Sequence, residues 1–296
     1  MPHPGLAGAK AASASRGILL MLLGIVIFTA MDALAKGMVA VYPTPQVIWA
    51  RFAGQLAVVL LILGPRALQS ARTRFPLLHV ARSATQFGAT AFFFVSLNYI
   101  GLAEATALTD INPVLITLGA AVFLGERLGL PRIIGVLLAM TGAMIVIRPG
   151  ADVFSLAALL PLGAAICYSA NALITRHVGS RESPWASMIW AAMFGTILSS
   201  LALPFVWQPI ATPDLWKFAL IGVLGAAAQL CVIRSFSTTE ASVVAPFAYT
   251  GIIFASLWGI GLYGEYPDGW TIVGAVVIVM AGLYVWAQEA KTARRT

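Results

Sequence analysis

The sequence predicts an all-α integral membrane protein with ten transmembrane helices, laid out as two inverted five-helix repeats. Three observations predict it. Sixty per cent of the 296 residues are hydrophobic and only 10% are charged, with a mean hydropathy of +0.90, a composition outside that of a water-soluble domain. Ten windows are apolar enough to cross a hydrocarbon core about 30 Å thick, which takes about 20 residues of helix. The windows of the first half pair with those of the second at one constant spacing, that between Asp32 and Asn171.

The spans fall roughly at 17–40, 45–64, 76–99, 103–124 and 131–148, then at 155–178, 184–204, 213–236, 241–263 and 269–287. This division gives a tail at 1–16, a first repeat at 17–149, a second at 150–288 and a tail at 289–296. The connections, such as Pro65 to Phe75 and Val206 to Thr212, are too short to fold alone. Residues 1–31 have a basic start and an apolar run, but the run continues too far for a cleaved signal peptide.

The net charge of +7 is a topology signal rather than a nucleic-acid footprint. Ten spans put both termini on one side, and that side collects all of the 18 lysines and arginines except Lys36, Arg51, Arg148 and Lys217. The positive-inside rule then puts both termini in the cytoplasm, in the inner membrane of a bacterium. Arg66, Arg72 and Arg74 stand where they can touch anionic lipid. Cys167 and Cys231 both fall inside spans, so no disulfide framework, metal site or cofactor is expected.

The repeat can be read residue by residue. Leu23-Gly24 recurs as Leu162-Gly163, Asp32 as Asn171, Pro45 as Pro184, Pro65 as Pro204, Gly125-Glu126 as Gly264-Glu265 and Gly135 as Gly274, all at the same spacing. Glu104-Ala105 recurs as Glu240-Ala241 at a slightly shorter one. Five spans is an odd number, so the second copy must enter the membrane upside down. Two inverted copies can exchange conformations, which is how a carrier opens first to one side and then to the other.

Ten spans in two inverted halves, the first-helix pattern Leu-Gly followed after seven residues by Asp or Asn, the Asn112-Pro113 helix and the Gly-Glu-Arg-Leu hinge at 125–128 resemble the drug/metabolite transporter superfamily. Within it the chain is similar to the EamA branch of bacterial exporters, and the aromatic amino-acid exporters of that branch share its length and layout. The resemblance implies a small-molecule exporter with a central cavity lined by the first, third, fourth, sixth, eighth and ninth spans. The second hinge, Gly264-Glu265-Tyr266-Pro267, departs from the pattern and is expected to behave differently.

Polar side chains in hydrocarbon are costly and usually face a bundle interior or a watery path. Gln86, Asn112 and Tyr249 each lie about 12 to 14 Å into their spans, near the midplane. With Tyr168, Asn171 and Gln229 they are the candidate substrate-binding set; interhelical packing bonds are the alternative role for any one of them. Pro113 and Pro246 break their helices and expose backbone carbonyls at depth. Asp32 and Lys36 are four apart on one face, a spacing that permits an ion pair. Arg51 and Asp110 are expected at similar depth, making these four a packing cluster or a coupling site. Gly135, Ala139 and Ala143 form a small-residue stripe, for packing within the chain or for a homodimer face.

No His-Glu-x-x-His, Gly-x-Ser-x-Gly or Gly-x-Gly-Asp occurs, so an intramembrane enzyme is not expected. Nor is a channel filter evident. The expected function is export of amino acids, broad or aromatic, by alternating access. The alternative is uptake or efflux of another small metabolite such as S-adenosylmethionine.

Overall fold

Proline and glycine set where the helices of this chain start and stop. The computed structural model describes residues 4–124, 130–147, 156–178, 183–238 and 245–293. The first hinge, the repeat boundary at 149/150 and Glu240-Ala241 lie outside the described residues. The helices are α1 (Pro4–Val39), α2 (Thr44–Leu63), α3 (Ala67–Ser70), α4 (Pro76–Ser96), α5 (Leu102–Thr109), α6 (Asn112–Leu124), α7 (Leu130–Ile147), α8 (Leu159–Val178), α9 (Pro184–Val206), α10 (Leu215–Thr238), α11 (Thr250–Tyr263) and α12 (Gly269–Ala293). α3 is a connector, α5 and α6 together make the fourth span, and a 3-10 segment, Ala245–Tyr249, leads into α11 as the ninth. The ten predicted spans are all present, with no strand among the described residues.

α2, α4 and α9 each open with a proline in the first two positions, where the missing N–H costs nothing. Ser183 adds a cap by accepting from the Trp185 N–H at 3.2 Å. Gly264 closes α11 in the left-handed conformation, φ +64°, with its N–H on the Ile260 carbonyl at 3.1 Å. That turn is why glycine precedes Glu265, whose side chain it aims back at α1.

The contacts prove the inversion. Lys36, near the end of α1, meets the backbone just beyond the end of α4, at Ile100, so α1 and α4 run the same way. Asn171, near the end of α8, meets Arg82 near the start of α4, so α8 runs against α4. The first helices of the two repeats are therefore antiparallel. We call the face where α1 begins the near face and the face where it ends the far face.

The packing obeys the same relation. α1 lies along α10 and its mate α8 along α4, while α2 with α9 and α7 with α12 are pairs that the two-fold maps onto themselves. Gly24 packs against Cys231, where an added Cβ would sit 3.2 Å from the Cys231 Cβ; Gly163 packs against Phe92, 3.3 Å from its ring. By the spacing of the repeat, Gly163 is the mate of Gly24 and Phe92 the mate of Cys231, so the two contacts are one contact made twice.

Glycine lets the backbones touch, because van der Waals contact and not hydrophobic exclusion holds helices together in lipid. A Cβ on Gly54 of α2 would come within 2.8 Å of the Gly222 Cα on α10. Gly142 of α7 and Gly274 of α12 face each other in the same way, with Ala139 and Ala143 buried beside Ile278 and Ala281. The small-residue stripe is thus used for packing within the chain. The largest apolar core lies toward the far face, built from Met38, Val39, Val47, Phe94, Leu102 and Phe218 among others.

Gly222→Leu forces α10 off α2 and is expected to cost on the order of 3 kcal/mol. A thermal unfolding curve in detergent will show this as a lower midpoint, while Gly261→Ala, which meets nothing within 4 Å, leaves the midpoint in place.

Candidate functional site

At the far face a charged latch joins the two halves. Lys36 Nζ lies 2.8 Å from Glu265 Oε1 and donates to the Ile100 carbonyl at 2.8 Å. Glu265 Oε2 accepts from the Leu102 N–H at 3.2 Å, at the start of α5. Tyr263 donates to the Ala33 carbonyl beside it. The latch thus ties α1 and the α4–α5 turn of the first repeat to the α11–α12 turn of the second. The ion pair between Asp32 and Lys36 allowed by their spacing does not form, because Lys36 points outward along α1 to Glu265 and two backbone carbonyls.

Farther from that face, Arg51 of α2 takes the place of a partner for Asp32. The two side chains lie in each other's field, and Arg51 donates to Thr90 of α4. Its guanidinium sits over the rings of Phe52 and Phe94, at 5.0 and 5.7 Å. Asn171, the mate of Asp32, donates to the Arg82 carbonyl at 2.8 Å. Arg82 in turn donates to the Ser187 carbonyl and, at 3.4 Å, to Thr175. Asn171 therefore carries a packing bond between α8 and α4, whatever else it touches.

Asp110 stands apart from this group, which corrects the four-residue charge cluster. It ends α5 at the helix break, and its Oδ2 is buried with no hydrogen-bond partner among the described residues. Tyr249 is its mate by the spacing of the repeat, at the corresponding break of the ninth span. That phenol is buried against Gly282, with its hydroxyl also unbonded among the described residues. Beside the break, the Ser169 hydroxyl is shared between the Ala165 carbonyl of its own helix at 2.7 Å and the Asn112 carbonyl at the start of α6 at 3.1 Å. The break itself falls at Asp110-Ile111, just ahead of Asn112-Pro113, as a proline in the first turn of α6 requires. Gln86 and Gln229 are half-buried.

The two halves are not in the same state. On α8 the exposed residues fall on two faces about 200° apart. Leu159 and Ile166 are apolar and suit lipid, whereas Tyr168, 43% exposed, and Thr175 are polar and suit a watery path. Their mates on α1 are Thr29 and Lys36. Thr29 is only 5% exposed, bonded to the Ile25 carbonyl, and the Lys36 side chain is 11% exposed inside the latch. The α8 positions Tyr168 and Thr175 are thus exposed, while their mates Thr29 and Lys36 on α1 are covered at the far face. A separate cavity of about 110 Å³ lies between the near ends of α9 and α10, lined by Pro184, Trp185, Met188, Leu230, Ile233 and Arg234. It is well below the ~300 Å³ of a small-ligand pocket.

Sequence reasoning used Glu265 only as a marker of the repeat. An acidic residue beside a helix-ending glycine, on the face where few lysines and arginines lie, was the signal for the latch. Arg82 and Thr90 left no such signal.

The EamA-like transporter family model matches residues 15–148 and 155–287. The pseudopaline exporter CntI of Pseudomonas aeruginosa is 28% identical over 90% of this chain and 94% of its own length. A riboflavin transporter of Rhizobium johnstonii is 28% identical over 94% of this chain and 93% of its own, and an S-adenosylmethionine uptake transporter of Rickettsia bellii is 25% identical over 94% and 95%. A solved crystal structure shares the fold with a TM-score of 0.66, at 19% identity, over 91% of this chain and 96% of that one. These named relatives are transporters of varied cargo and not enzymes, which broadens the resemblance beyond amino-acid exporters. Matched in both of its inverted halves, the chain belongs to the EamA-like transporter family.

Proposed function

We propose that this transporter exports amino acids from the cytoplasm across the bacterial inner membrane by alternating access. The observation that supports the proposal is the asymmetry just described: Tyr168 and Thr175 of α8 are exposed, while their mates Thr29 and Lys36 of α1 are covered at the face held by the Lys36–Glu265 pair. The distribution of arginine and lysine supports the near face as cytoplasmic. A carrier resting in this state loads its cargo from inside. Tyr168, Asn112, Gln86, Gln229 and Tyr249 offer hydrogen bonds for a zwitterionic head group, and the apolar walls accept a side chain. Asn171 contributes to the wall while bonded to Arg82.

A second reading, movement of a larger metabolite such as S-adenosylmethionine, draws on the Rickettsia relative named for its uptake. Counterflow in proteoliposomes separates the two. Preloaded amino acids are expected to exchange saturably with labelled ones. If none exchanges and S-adenosylmethionine does, the amino-acid assignment is lost. Asn112→Ala and Tyr249→Ala are each expected to slow exchange about fivefold through a lost hydrogen bond, with insertion unchanged; full rates in both would remove them from the path.

The latch makes its own prediction. Removing a half-buried ion pair by Glu265→Gln is expected to shift the open-in population by about 1 kcal/mol, roughly fivefold. A cysteine at Thr29 then labels faster from the far side. Glu265→Asp, which keeps a carboxylate for Lys36 and the Leu102 N–H, retains more protection than Glu265→Gln, and labelling indifferent to Glu265→Gln rules out the latch.

A further inference from the structure

We propose that the cavity between the near ends of α9 and α10 is a binding site for one anionic glycerophospholipid of the near-face leaflet, with the lipid phosphate on Arg234 and one acyl chain in the apolar groove above it. The site is separate from the cargo route and does not depend on which cargo is carried. Its lining is Pro184, Trp185, Met188, Leu230 and Ile233, with the exposed Arg234 at the rim. At about 110 Å³ it admits only part of a molecule. A lipid suits such a space, because the rest of it stays in the bilayer.

The cavity opens toward hydrocarbon. Trp216 and Val223 of α10 are 57% and 46% exposed, and Leu230 follows at the same interval of seven residues. Seven residues make almost two turns, so the three share one apolar, outward face of a spanning helix. Arg234 stands one turn beyond Leu230 toward the near face, at the end of the span where a phosphate lies. α9 and α10 both pack along α2, and Val59 of α2 forms one cluster with Met188, Trp185, Leu230 and Ile233. The two helices therefore flank α2 and leave the groove between them.

The charge fits a phosphate. Ala71 of the connector packs on the same cluster, held by the Trp190 indole N–H at 2.9 Å, and brings the exposed Arg72 to this end of the bundle. A guanidinium takes two phosphate oxygens at once, and its aliphatic stem can lie along a lipid chain. Trp185, in the first turn of α9, sets an indole at head-group level. Among the described residues none that lines the cavity is acidic, so a lipid of net negative charge is favoured over a zwitterionic one.

The test uses the full chain in phosphatidylcholine vesicles doped with a phosphatidylglycerol that carries a diazirine in its acyl chain. After illumination and proteolysis, adducts are expected in residues 184–188 and 230–234, and their absence from both overturns the proposal. Unlabelled phosphatidylglycerol is expected to compete about fivefold better than phosphatidylcholine, the effect of one charge near the surface. Equal competition by the two lipids overturns the proposal, as does competition by glycerol phosphate as strong as that by the intact lipid. Those outcomes need no substitution. Arg234→Gln is expected to remove the preference, while Arg74→Gln, which takes the same charge from the same face, keeps it; equal effects of the two would reduce the site to general surface attraction and overturn it. Leu230→Trp fills the groove and is expected to abolish the adducts with the net charge unchanged.

Discussion

Inversion is the constraint on which the rest of this structure depends. Two identical copies related by an axis in the membrane plane would have two end states of equal energy, one open to each side. The copies here are alike in their apolar framework, so the positions where they differ set the balance. Four of those positions carry charge in the first repeat and none in the second. Lys36 answers to Thr175, Asp32 to Asn171, Arg51 to Trp190 and Asp110 to Tyr249. The far face therefore closes with an ion pair, and the near face has Thr175 where the lysine would be. A difference of about 1 kcal/mol between the two closures is enough to favour one state fivefold.

Such a machine needs surfaces that pack closely and breaks that cost little. In hydrocarbon an unpaired backbone group costs several kcal/mol, so a helix can be interrupted only where another element supplies a partner. At the break in the fourth span, Ser169 of α8 reaches the Asn112 carbonyl, a contact between that break and the first helix of the other repeat. The glycine contacts serve the complementary need. Gly54 against Gly222 and Gly142 against Gly274 bring backbones together with no side chain between them, giving smooth contacts on which whole helices can shift as units.

The framework was legible in the sequence because the two rules that set it act locally: hydrocarbon thickness fixes the length of a span, and proline and glycine fix its ends. Thr44–Leu63 and Leu130–Ile147 lie within about a residue of their predicted windows for that reason. The inverted repeat was legible through spacing alone. The site was legible only in part. Midplane depth can be counted along one helix, which places Asn112 and Tyr249 at depth, but the partner of a charge depends on how helices rotate against one another. Lys36 was four residues from Asp32 in sequence and joined Glu265 in space, while Asp110 Oδ2 was left without a hydrogen-bond partner among the described residues. Asn171 was found as the mate of Asp32, while its bond to the Arg82 carbonyl depends on the close approach of α4 and α8.

Relatives of similar length are named for exporting pseudopaline, transporting riboflavin and taking up S-adenosylmethionine, so direction and cargo are separable from the fold. The physics agrees. A latch cannot drive net flux, which follows the gradients of the cargo and of any coupled ion. What it sets is the fraction of molecules waiting open on one side, and apparent affinity on that side scales with this fraction. On the export reading proposed above, a latched far face favours the open-in form, so that cytoplasmic cargo would be bound at close to its intrinsic affinity. The same bias weakens capture from outside, because a molecule arriving there must first wait for Lys36 and Glu265 to part. An exporter benefits from both effects, and a chain with the charged pair moved to the near face would have the opposite preference on the same scaffold.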